Sequence, residues 1–151
     1  MWSSSAYSEL GNLVLSRVTL FNARRRGEPA RLTLSEWQVA ASDQWLNSAS
    51  VSSGTEVEQQ LFRELKITYQ ADKGNNHLVL VLFPSDTVQA MEKLMDQTVR
   101  EFAGIHPDNA YAFPNLKHSK DHVSGWHSIH SVSTVTSDES ALEACSWQFA
   151  I

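Results

Sequence analysis

The sequence predicts an α+β fold, mostly helical, with a small antiparallel β-hairpin sheet. Three observations predict it. Apolar residues recur at helical spacing, as in Leu10, Leu13, Val14, Val18 and Phe21. Two short runs, Ile67 to Gln70 and His77 to Phe83, flank the turn sequence Asp72-Lys73-Gly74-Asn75-Asn76. Helix-start signals punctuate the rest, among them Thr33 three positions before Glu36, and Asp96 ahead of a short apolar-periodic run.

In chain order, residues 6 to 22 read as a helix, weakened early by Gly11. After a break near Asn22 the stretch Arg24 to Leu32 continues helically, provided Pro29 sits in a first turn. Thr33-Leu34-Ser35-Glu36 opens a helix whose inward stripe is Trp37, Ala40, Ala41 and Trp45. A Ser-rich loop, residues 47 to 55 with Gly54, precedes a helix from Glu56 to Leu65 with Val57, Leu61 and Leu65 on one face. The second strand of the hairpin is nearly all apolar, so burial on both faces is expected. Pro84-Ser85-Asp86 ends it and caps a helix through about Met95; Asp96 caps another to Phe102, closed by Gly104. Tyr111-Ala112-Phe113 is extended and ends at Pro114, residues 115 to 121 form a loop, and His122 to Val132 is helical with Val123, Trp126, Ile129 and His130 on one side. From Ser133 the character changes to a polar run followed by exposed-looking Trp147, Phe149 and Ile151. The expected division is a core over 1–132 and a divergent, disordered tail over 133–151.

A chain of 151 residues with 42% hydrophobic content, five Trp and six Phe suffices for one domain with a real core. The single Cys145 excludes an internal disulfide and fits a reducing compartment. Met1-Trp2-Ser3-Ser4-Ser5 lacks a basic leader, and the longest apolar runs are too short to span a bilayer. The expectation is a soluble intracellular protein with no membrane partner. The net charge of −5 argues against a general nucleic-acid binder, since phosphate neutralisation needs cations. Local distribution matters more: Arg24, Arg25, Arg26 and Arg31 cluster, while acids concentrate at Glu56, Glu58, Glu64, Asp138, Glu139 and Glu143.

Three adjacent arginines read either as a solvated cluster at a helix start or as a phosphate grip. The flanking pattern favours the grip. Leu20-Phe21-Asn22-Ala23-Arg24-Arg25-Arg26-Gly27-Glu28-Pro29-Ala30-Arg31-Leu32 resembles the first signature box of tyrosine recombinases and phage integrases. On that resemblance Ala23 takes the small position, Arg25 the catalytic arginine, Glu28 the glutamate that holds it, Leu32 the leucine and Glu36 the following acid. Such an arginine grips the scissile phosphate through two parallel hydrogen bonds and offsets charge in the transition state. Arg24, Arg26, Arg31 and His77 would add contacts to DNA.

Lys73-Gly74-Asn75-Asn76-His77 is similar to the family's hairpin turn, whose lysine protonates the leaving 5′-oxygen. Asp121 to His130, following Phe113-Pro114, resembles stretches in integrase-like open frames of animal mobile elements. The resemblance covers about residues 8 to 132 and implies the N-terminal half of a recombinase catalytic core, acting on duplex DNA without cofactor or metal and located in the nucleus. The sequence departs from the family after that. His127-Ser128-Ile129-His130 has histidine where the His-x-x-Arg box needs arginine, and none of Tyr7, Tyr69 and Tyr111 stands where the nucleophile belongs. The expectation is therefore a catalytically inactive protein. The alternative is a non-enzymatic DNA-binding or protein-interaction module, self-associating through uncovered core. A zinc site at His118, His122, His127 and His130 is disfavoured because the spacing follows no zinc pattern. There is no phosphate-cradling glycine loop and no Gly-x-Ser-x-Gly.

Overall fold

The computed structural model describes residues 2–22, 27–43, 52–71, 78–116, 119–125, 128 and 130–132. Among them, helices surround one two-stranded antiparallel sheet, the α+β arrangement expected. Helix α1 (Ser4–Asn22) buries Tyr7, Val14, Leu15 and Val18. Its inward face runs between the Val14/Val18 and Leu15/Thr19 rows, so the last inward position falls to Asn22. Phe21, expected on the buried stripe, is instead 42% exposed under the Arg17 guanidinium, 5.5 Å from the ring centre. Helix α2 (Gly27–Ala30) has Pro29 in its first turn, as its fixed φ and missing N–H require. Pro29, Ala30 and Leu32 are fully buried.

Thr33 caps helix α3 (Leu34–Ala41), accepting from the Glu36 amide at 3.2 Å. Trp37 and Ala40 are buried, but Ala41 is exposed at the helix end, where Ser42 and the left-handed Asp43 (φ 56°) turn the chain away. Trp45 lies outside the described residues, as do 47–51 of the expected Ser-rich stretch. Helix α4 (Glu56–Glu64) starts with a reciprocal capping box: Glu58 N–H donates to Thr55 Oγ1 at 3.3 Å, and Thr55 N–H to Glu58 Oε2 at 2.8 Å. Val57 and Leu61 do share a face, yet they are 70% and 49% exposed.

Strands β1 (Lys66–Ala71) and β2 (Leu78–Phe83) pair with Thr68 opposite Val81. Burial of β2 on both faces does not hold. Val81 and Phe83 point into the core, whereas Leu78 and Leu80 are 68% and 37% exposed. A two-stranded sheet packed on one side has one wet face, and side chains alternate between the two. Phe83 meets Trp37 edge-on, ring centres 5.1 Å apart.

Helix α5 (Ser85–Met95) follows Pro84 without a side-chain cap, contrary to expectation. Thr87 ties the turn instead, its amide and hydroxyl both donating to the Pro84 carbonyl, at 3.0 and 2.6 Å. Asp86 is drawn to Arg17 at 3.2 Å. Helix α6 (Gln97–Phe102) is capped by Asp96, which accepts from the Thr98 and Val99 amides, and is closed by Gly104 at φ 79°. Tyr111 bridges to Thr33, and Pro114 to His122. His122 is thus in extended backbone, and helical residues begin at Gly125 rather than at His122. His130 is exposed, not on an inward stripe, while Ser128 is buried; Trp126 and Ile129 lie outside the described residues. The expected tail falls wholly outside them too. No helix among the described residues is long and apolar enough to cross a membrane.

Candidate nucleic-acid interface

The arginine box spans the end of α1, a link, and α2. Arg24, Arg25 and Arg26 lie outside the described residues, as do Lys73 and His77 of the hairpin turn. Glu28 is described through its backbone, within α2. Arg31 is half-buried in the turn after α2, where the Leu32 amide returns to the Pro29 carbonyl at 3.2 Å.

The two ends of the box are anchored to the hairpin. At the first end, Asn22 Nδ2 donates to the Leu82 carbonyl at 2.7 Å, and Asn22 Oδ1 accepts from the Leu82 amide at 2.8 Å. The same Nδ2 donates back to Val18 O at 2.7 Å, so both amide hydrogens and the carbonyl are used. At the second end, α2 packs on β1, and Leu32 is held by the Ala112 amide donating to its carbonyl at 2.8 Å.

Of the other charges near the hairpin, Lys66 is engaged and α4 is mostly acidic, with Arg63 exposed in its last turn. Lys66 Nζ pairs with Asp43 at 2.9 and 3.1 Å. Helix α4 exposes Glu56, Glu58 and Glu64, which would repel phosphate and turn any nucleic acid away from that side. Burial raises the Glu36 carboxyl above the ordinary carboxylate range, partly opposed by hydrogen bonds to Thr33.

Two hollows are lined by none of the box or hairpin-turn residues. One, between α1 and the 112–116 turn, is bounded by Tyr7, Leu94, Phe113 and Val123 and holds about 20 Å³, room for one water. The other is a shallow depression of about 490 Å³ beside Trp37, Met95, Glu92 and Asp96, again acidic. Among the described residues no three His, Cys, Asp or Glu side chains are placed to hold a metal. His122 Nδ1 lies 2.7 Å from Val123 O and its ring meets Tyr111 edge-on. His118 and His127 are outside the described residues.

Two residues that matter in the structure carry no signal in the sequence. Asn22 ends a helix, where an amide usually caps its own chain; its strand partner is sixty positions away. Arg100 sits in a short polar helix yet is 3% exposed. No family model matches the chain, and neither a curated protein nor a solved structure matches it. A functional reading therefore rests on the chain's own residues.

Proposed function

We propose that the chain is a duplex-DNA-binding module derived from the N-terminal half of a tyrosine-recombinase catalytic core, and that it grips phosphate without cutting the strand. Arg25, held by Glu28, takes one scissile-type phosphate, with Arg24, Arg26 and Arg31 on neighbouring phosphates. Lys73 and His77 approach the strand from the hairpin turn. The observation that supports this most is the packing of the box's two flanking elements on the hairpin: α1 against β2, α2 against β1. The described flanks of the box and the two strands that lead into the lysine turn thus pack together, with Asn22 meeting β2 at Leu82, toward the end of the ladder away from the turn.

Strand cleavage is not part of the proposal. Tyr7 is buried, donates to the Leu94 carbonyl at 2.7 Å and is held at a pKa of about 12 by desolvation, which suits no nucleophile. Tyr111 is half-buried beside His122, and Tyr69 lies mid-strand in β1.

The test is anisotropy of a labelled duplex of about 20 base pairs across a salt series. Binding should weaken steeply with salt, and Arg25→Ala should lower both the affinity and the salt slope, the latter by about one ion. Indifference of the duplex affinity to Arg25→Ala would overturn the reading. A second reading, a self-associating interaction module, is favoured by Leu20, Leu78, Val57 and Leu61, all exposed. It predicts mass growth with concentration in sedimentation, with no dependence on the arginines.

A further inference from the structure

We propose that Asn22 is a positioning residue: its side-chain amide acts as a one-residue surrogate strand that locks the start of the arginine box to the outer edge of β2. The DNA role of this lock rests on the proposed DNA binding; the lock itself does not.

Leu82 points its N–H and C=O away from β1, where an additional strand would bond. Asn22 fills both with one donor and one acceptor, at 2.7 and 2.8 Å. Its remaining amide hydrogen goes to Val18 O at 2.7 Å, which fixes the side chain to its own helix as well. The residue type is dictated by this geometry. Aspartate offers no donor and sets a carboxylate against two carbonyls. Serine cannot span both Leu82 groups, and glutamine is one methylene too long. The edge of β2 is also closed to foreign strands at this point.

Position follows from covalent structure. Ala23 is bonded to the locked residue, and the link that carries the arginines ends at Gly27, whose helix is seated by the buried Pro29 and Ala30. Releasing Asn22 frees one end of that short link. The guanidinium groups would then search a larger volume before meeting phosphate, so affinity falls although no phosphate contact has been removed.

Three measurements on the full chain test this. First, amide exchange of the unmodified protein: Leu82 should be protected like the ladder amides of Val81 and Phe83, and rapid exchange at Leu82 overturns the lock. Second, limited trypsin digestion: N22D and N22A, checked for cooperative melting, should be cut faster after Arg24, Arg25 and Arg26, with cleavage at Lys93 unchanged. Equal rates at the arginines overturn the lock. Third, duplex affinity: each Asn22 variant should lose about tenfold, and that loss should shrink when it is combined with Arg25→Ala, because fewer arginines are then left to position. Fully additive losses overturn the positioning role and leave a merely structural asparagine. A protein that shows the exchange and digestion results but binds no duplex upholds the lock and overturns only the DNA-binding reading.

Discussion

Around Arg100 a charge lies buried and hydrogen-bonded to three oxygens; on the outer side of β2, leucines lie in water within two residues of the core. Arg100 is 3% exposed, and its guanidinium donates to Tyr7 OH at 3.2 Å, Tyr111 O at 3.1 Å and Asn109 O at 2.9 Å. Tyr7 in turn donates to Leu94 O at 2.7 Å. Asn109 continues the network, its Nδ2 reaching the Ser119 and Asp121 carbonyls at 2.9 and 2.8 Å. Thus α1, α5, α6 and the 109–121 segment are joined through one cation whose partners are neutral oxygens. The hairpin instead presents Leu78 and Leu80 to solvent, and α4 presents Val57 and Leu61. Polar groups determine how one region is assembled, while apolar groups in the other are left available. A buried, hydrogen-bonded network fixes one arrangement, whereas an uncovered apolar face is compatible with several partners.

The strongest way to break this contrast is Arg100→Ala. It removes the stem's packing, leaves the Asn109 and Tyr111 carbonyls without their donor at about 1–3 kcal/mol each, and takes one bond from the Tyr7 hydroxyl, which keeps Leu94 O. The expected loss is about 3–5 kcal/mol, read as a lower midpoint in urea. A loss under about 1 kcal/mol would mean water replaces the guanidinium and the region is less closed than its burial implies.

Tyr7 sharpens the contrast through pH. Desolvation pushes its hydroxyl from 10.0 to about 12, against the pull of Arg100, which lowers it. The folded state holds this proton more tightly than the unfolded chain. Its contribution is therefore fully present below pH 10 and is lost as pH rises from about 10 to about 12, at up to about 1.4 kcal/mol per pH unit. Tyr7→Phe should cost about 1–3 kcal/mol at neutral pH and flatten that alkaline slope. An unchanged slope in the variant would place the alkaline transition elsewhere.

Legibility in the sequence divides along the same line. Periodicity and caps locate α1, α3, α5 and α6 to within a few residues, because each depends on local chemistry: Thr33 on the Glu36 amide, Asp96 on Thr98 and Val99. The Arg100 cage is not legible. In α6 the inward position goes to Arg100 while Phe102 is 59% exposed, the reverse of an apolar-in, polar-out reading. What selects that register is carbonyls from residues 109 and 111, which no local pattern encodes. The β2 expectation failed for a related reason. A continuous apolar run signals burial on both faces only when something covers the second face, and Leu78 and Leu80 have no such cover among the described residues. For the candidate site, the sequence pattern located the hairpin strands; the Asn22–Leu82 tie is a tertiary contact that spacing does not record.

The smallest effect on stability is expected where the apolar groups are left available. Leu78→Thr with Leu80→Thr removes two leucines that are 68% and 37% exposed, introduces β-branched residues suited to a strand, and leaves Val81 and Phe83 inward. Little buried apolar area is lost from the monomer, so its stability should move by about 0.5 kcal/mol or less. Association should respond far more if this face meets a partner, because area exposed in the monomer would be buried in the complex. Sedimentation velocity of the double variant against the unmodified chain separates the two quantities. Reduced self-association at unchanged melting makes the wet face of β2 a contact surface. A large drop in stability would show that these leucines are held by the fold itself, and the contrast between the Arg100 region and the hairpin would fail.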